Sequence, residues 1–325
     1  MALIRYLLQY RFRDMAELIN NDKREPAVCS KKLTGKTVVI TGATAGIGLE
    51  AARLFAGAGA DLICINRNKE KSSRLEAEIA SIGKGSIETI ISDFSSLKQI
   101  NGCADRLLKL DRPIDVIIHN AGVFNTKKQF TEDGIETVFQ VNHLASFLIN
   151  YRLMAGLKAA NRARIIYVNS EGHRFALAGV HLNDLAWKRH LYTGLKSYGA
   201  AKTAQLLTMK KFDEYFSDSN VTVNAMHPGN VRSSMGNNNG RAYRFMKKKL
   251  VLANAKDPLI SAEALHYLAA SDETAGVSGR FFNLTTEERP APHARDESAV
   301  DAVWSRSLQL CGLDEQNQEQ DGDYS

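Results

Sequence analysis

The chain has 325 residues, 44% of them hydrophobic and 24% charged. This is globular composition with enough apolar content for a sizeable core, and it excludes a wholly disordered, collagenous or mucin-like chain. The net charge is +6 but uneven: Asp314 to Ser325 hold five acids and no base, whereas Asn230 to Lys256 hold seven bases and no acid.

That basic stretch admits a nucleic-acid or anionic-membrane contact, or simply a solvated loop. No run approaches the roughly 18 to 20 uncharged apolar residues of a membrane span. The four cysteines are far apart, with no Cys-x-x-Cys pair, which suits free thiols in a reducing cytoplasm. The eight histidines show no His-Glu-x-x-His spacing, so a metal hydrolase has no support and no metal is expected.

Residues 1–33 read as a polar N-terminal extension. Thr37 to Thr41 then forms a buried strand, Ile47 to Ala58 a helix, Asp61 to Asn66 a second strand, and Lys69 to Ile82 an amphipathic helix. Ser86 to Ile91, Asp115 to His119, Arg164 to Asn169 and Val221 to Ala225 continue the strand series with helical stretches between them. A helix over Ser261 to Ala270, a strand over Arg280 to Leu284 and a helical pattern from Ala299 to Leu313 close it. Near-continuous apolar strands alternating with helices predict a doubly wound parallel sheet of the Rossmann type, covered on both faces. Residues 34–313 form one such domain, and 314–325 form a disordered acidic tail.

The first strand runs into Thr41-Gly42-Ala43-Thr44-Ala45-Gly46-Ile47-Gly48 and a helix starts there. Glycines at that junction let backbone approach a pyrophosphate, and the helix N-terminus supplies N–H donors. Gly35-Lys36-Thr37 imitates the end of a P-loop, but position 30 is Ser30 and no strand precedes it, so an ATPase is disfavoured.

The Gly-x-x-x-Gly-x-Gly spacing resembles the short-chain dehydrogenase/reductase family, and further motifs follow in its order. Asp93, beside Phe94, matches an adenine-contacting acid, and Asn120-Ala121-Gly122 a strand-end motif, with His119 where asparagine is usual. Asn142, Ser170, Tyr198 and Lys202 match the catalytic tetrad. Pro228-Gly229, continuing through Val231 to Ser233, matches the turn beneath the nicotinamide.

The resemblance implies hydride transfer between nicotinamide and a carbonyl or alcohol. Tyr198 is then the general acid/base, Ser170 holds the substrate oxygen, and Lys202 serves both phenol and ribose. Asn142 is expected to hold a water that links Lys202 to solvent. The wide gap between Ser170 and Tyr198 reads as an inserted loop, Glu171 to Leu195. With the C-terminal helix pattern, it resembles the branch of retinol dehydrogenases, WW-domain-containing oxidoreductases and protochlorophyllide reductases.

The second strand ends Ile65-Asn66-Arg67-Asn68 without the acid that selects NAD. Arg67 offers a planar fork to a 2′-phosphate, so the expected cofactor is NADP(H). The implied substrate is a small hydrophobic carbonyl or alcohol, with no nucleic acid. A homodimer through the helices holding Asn142 and Tyr198 and weak peripheral membrane contact are both admitted. Two competing readings are a cofactor-binding regulator without turnover and a nucleic-acid or membrane-surface binder using residues 230–256.

Overall fold

The computed structural model describes residues 2–10, 21, 24–82, 84–232, 235, 236, 239, 240 and 255–313. Ser233, most of the basic stretch and the acidic tail lie outside the described residues.

Short β-branched runs build the sheet: β1 (Thr37–Thr41), β2 (Asp61–Asn66), β3 (Ile87–Ile91), β4 (Val116–His119), β5 (Ala163–Val168), β6 (Val221–His227) and β7 (Phe281–Asn283). Their order is β3-β2-β1-β4-β5-β6-β7, all parallel, with β8 (Thr286–Glu287) added antiparallel at the edge. The order reverses between β1 and β4. Chains leaving those two strands diverge to opposite faces, and the crevice between them is where doubly wound sheets bind ligands.

The helices are α1 (Ala2–Leu7), α2 (Gly46–Gly57), α3 (Lys69–Ile82), α4 (Leu97–Leu108), α5 (Ala145–Ala160), α6 (Gly194–Tyr215), α7 (Leu259–Ala270) and α8 (Glu297–Leu310). Alternation along each strand divides the core in two. Val38 and Ile40 join Leu62, Ile118 and Ile166 beneath α2 and α7. Val39, Ile63, Ile117 and Ile165 face the layer of α4, α5, α6 and α8, where the Trp304 ring lies 5.0 Å from Phe147 and 4.9 Å from Phe212. Strands buried on both faces are why their sequence runs read as continuous apolar blocks.

The predicted elements recur with small shifts. β6 continues to His227 rather than stopping at Ala225, because Met226 pairs with Val168 and His227 with Asn283. The short β7–β8 hairpin was not anticipated; Leu284 takes a left-handed φ of 54° at its turn. In the N-terminal extension, the Tyr6 hydroxyl donates to Asp296 at 2.7 Å and the Asn21 amide to Glu288 at 3.0 Å. Lys36, the P-loop mimic, is paired with Asp115 at 3.0 Å.

Candidate active site

Thr41 and Asn120 fix the glycine turn to the end of β4. The Thr41 hydroxyl accepts from the amides of Asn120 and Ala121, and the Asn120 side chain donates to the carbonyls of Thr41 and Gly42. A Cβ on Gly48 would lie 2.2 Å from the Gly42 oxygen and 2.5 Å from Asn120 Nδ2. The turn therefore closes only around a hydrogen atom at that position.

Above it opens a cleft of about 430 Å³. Its walls include Gly42, Thr44, Gly46, Ile47, Arg67, Asp93, Phe94, Asn120, Ala121 and Gly122, all expected from the sequence. Lys71 and Met235 also line it and were not anticipated. Gly48 lies buried beneath the turn. Pro228, Gly229 and Val231 are not on these walls; they follow β6, where Val231 bridges to Lys256.

Asn66 and Arg67 have separate tasks. Asn66 is buried, and its Oδ1 accepts from the Ala43 amide at 2.8 Å, whereas Nδ2 has no partner among the described residues. Arg67 is exposed at the rim, with Lys71 one turn along α3. Two cations and an orphaned buried donor beside a glycine cradle suit an anionic dinucleotide.

The four expected catalytic residues stand on three elements. Asn142 lies in a π-helical turn (Gln140–Leu144), a distortion that often marks functional positions. Its side chain bridges Val123, accepting from the amide at 2.7 Å and donating to the carbonyl at 2.9 Å. Ser170 follows β5, and its hydroxyl accepts from the Gly172 amide at 2.9 Å. Tyr198 and Lys202 share one face of α6, with the ammonium 5.9 Å from the phenol ring centroid. A Cβ on Gly172 would stand 2.6 Å from Tyr198 Cε1 and 3.2 Å from Ser170 Oγ. Phenol and hydroxyl therefore converge over a residue that must be small.

Lys202 is 2% exposed and donates to the Val168 carbonyl at 2.8 Å. Burial pushes its ammonium down to about 7. His119, where asparagine was expected, pairs with Asn150 at 2.7 Å and stacks on Tyr167. Burial lowers it to about 4, so it is a neutral core residue beneath the site.

Sequence reasoning missed three polar supports. Glu136, 1% exposed, accepts from the Val138 and Phe139 amides and the Ser197 hydroxyl, joining the segment before Asn142 to the start of α6. Asn169 accepts from the Ser170 amide and donates to the Lys202 carbonyl. Gln205 lies one turn beyond Lys202. Only proximity to known motifs could have flagged them, since the partners that tie one element to another, such as Ser197 for Glu136 and Lys202 for Asn169, are remote in sequence.

The short chain dehydrogenase family model matches residues 36–182. Human (Homo sapiens) retinol dehydrogenase 13 is 34% identical over 310 residues, covering 92% of each chain. Human WW domain-containing oxidoreductase is 32% identical, covering 86% of this chain and 69% of that one. A crystal structure of an uncharacterized Mycobacterium Paratuberculosis protein superposes with a TM-score of 0.69 at 25% identity, over 87% of this chain and 96% of that one. The chain belongs to the short-chain dehydrogenase/reductase family of nicotinamide-dependent oxidoreductases. Within that family it falls in the retinol dehydrogenase-like branch.

The glycine cradle gives a first expected result. Gly48→Ala forces a methyl onto backbone and Asn120, an overlap costing about 1–3 kcal/mol. Nicotinamide dinucleotide affinity falls roughly tenfold or more, read by fluorescence titration. Wild-type affinity in a folded variant would remove the cradle argument.

Proposed function

We propose that the chain is an NADP(H)-dependent oxidoreductase that interconverts carbonyl and alcohol on a small hydrophobic substrate, with Tyr198 as general acid/base. The observation that carries this reading is the convergence of Tyr198 and Ser170 over Gly172, with the Lys202 ammonium 5.9 Å from the phenol ring.

When bound, the nicotinamide supplies or accepts the hydride; the protein must manage the proton. In reduction, the Tyr198 phenol gives its proton to the oxygen that gains charge, and Ser170 donates a hydrogen bond to that oxygen. In oxidation, the phenolate takes the proton back. A phenol ordinarily titrates near 10, so phenolate needs a cation beside it. Lys202 supplies that charge, and its remaining N–H is available to the ribose. Phe124, edge-on to Tyr198 at 5.8 Å between ring centroids, gives the phenol ring an apolar neighbour and supports a hydrophobic substrate. An NADPH-oxidation screen over aldehydes, ketones, retinal and quinones tests the reading. Binding of NADPH without turnover of any of them would favour a regulatory protein instead.

Arg67 and Lys71 on the rim, with no acid at the end of β2, support NADP(H) over NAD(H). A charge-assisted contact to a 2′-phosphate contributes about 1.5–3 kcal/mol, or roughly ten- to a hundredfold in affinity. Arg67→Asp lowers kcat/KM for NADPH by about that factor and leaves NADH equal or improved. A wild-type preference for NADH, or an unmoved ratio, would overturn the assignment.

Among the described residues no helix is long and apolar enough to cross a membrane. Leu3, Ile4, Leu7 and Leu8 are exposed on and just after α1, which supports peripheral contact with a lipid surface. Free Cys29, Cys64, Cys103 and Cys311 support a reducing compartment, and cytoplasm is the one we assign.

A further inference from the structure

Gln205 is 2% exposed and saturated by four hydrogen bonds. Its Nε2 donates to the Asn142 carbonyl at 3.1 Å and the Ser146 hydroxyl at 3.2 Å. Its Oε1 accepts from Asn169 Nδ2 at 2.9 Å and, at a longer 3.4 Å, from Lys202 Nζ. The orientation is determined by its partners. With the amide turned over, an NH₂ group would face the Asn169 NH₂ and the Lys202 ammonium, donor against donor. The negative end of the amide dipole is thus held against the lysine. One side chain thus spans Lys202 Nζ and the Asn142 main-chain carbonyl.

We infer that Gln205 is a positioning residue for Lys202: it holds the buried amine where the phenol needs it and favours the charged form. The inference rests on the oxidoreductase reading for its purpose, though not for its test. Lys202 has three N–H donors as ammonium. Val168 O and Gln205 Oε1 take two of them.

The other titratable groups around the amine do not compensate for its burial. Tyr198 lies on its own helix; His119 of β4 and His143 of the π-helical turn sense its charge from the neighbouring elements. Burial lowers those histidines to about 4 and 3, so both are neutral near pH 7. Desolvation is what lowers Lys202, with no carboxylate opposing it. The two acceptor dipoles are therefore what retain the proton, and Gln205 is the one a mutation can remove.

The test titrates full-length protein carrying 13Cε-labelled lysine, with the Lys202 resonance assigned by its loss in Lys202→Met. Gln205→Met keeps the volume but removes the acceptor, and the Lys202 midpoint drops by about one pH unit. Gln205→Glu replaces a dipole with a charge, and the midpoint rises by about one unit or more. The alkaline limb of kcat/KM moves in the same two directions. A merely structural role cannot produce opposite signs. An unmoved midpoint in either folded variant, or shifts of the same sign in both, overturns the inference, and either variant alone decides it if the other does not fold. Because the resonance is read without substrate, absence of turnover would count against the oxidoreductase reading and leave this result standing.

Discussion

Tyr198→Phe lowers carbonyl turnover by roughly 10²- to 10⁴-fold, the usual range for loss of a general acid, while nicotinamide dinucleotide binding stays close to wild type. The contrast follows from how the side chain is held. Tyr198 is 9% exposed, its ring lies edge-on to Phe124, and it fills the space over Gly172. Phenylalanine keeps the ring and those apolar contacts and loses only the transferable proton. Lys202 keeps its bond to the Val168 carbonyl, which does not involve the phenol. Single-turnover rates with saturating cofactor, beside a binding titration, separate the two quantities. Turnover near wild type would remove Tyr198 from the proton step; a comparable loss in binding and rate would indicate damage to the cleft instead.

The second large effect concerns stability and runs opposite to activity. Lys202→Met abolishes turnover yet raises the melting temperature of the cofactor-free protein at neutral pH. The folded-state amine is pushed down to about 7 from the ordinary 10.5. Between those values the unfolded chain binds the proton and the folded chain does not, so wild-type stability rises with pH across that window. At and below pH 7 the burial of Lys202 costs the fold roughly 5 kcal/mol, at about 1.4 kcal/mol per pKa unit. Methionine removes that cost but strands the Val168 carbonyl, which returns about 1–3 kcal/mol. A net gain of a few kcal/mol remains. The variant's gain in melting temperature is largest at pH 7 or below and reverses above pH 10.5, where the neutral amine still donates to the Val168 carbonyl and methionine does not. A variant destabilised at pH 7, or a difference independent of pH, would mean that the lysine is not strained by burial. Active sites that hold an ill-solvated charge commonly trade stability for function in this way.

Much of this was legible in the chain. The alternation of apolar runs and helical patterns was local, so Asp61–Asn66 and Lys69–Ile82 appear with the predicted bounds. Gly42, Asn120, Tyr198 and Lys202 could be proposed because each matches a short motif of the family that the sequence resembles. The edge hairpin β7–β8 was less readable, since its strands are three and two residues long and carry little periodicity.

The division has a physical basis. Sequence alone determined the parallel sheet and the glycine turn, because periodicity and turn chemistry act within a few residues of one another, and it offered the candidate reacting side chains through their resemblance to family motifs. Only the tertiary structure decided how those groups are held. Asn66 faces the turn while Arg67 meets the rim; Glu136 ties Ser197 to the segment before Asn142; Gln205 joins Lys202 to Asn142 and Asn169. Nothing in a buried glutamine's neighbours along the chain reveals that three of its four partners are 36 to 63 residues away. Hydrogen-bond satisfaction in a desolvated core is set by what folding brings within about 3 Å. The burial that lowers Lys202 likewise belongs to the packed sheet and helices together, and no segment of the sequence carries it.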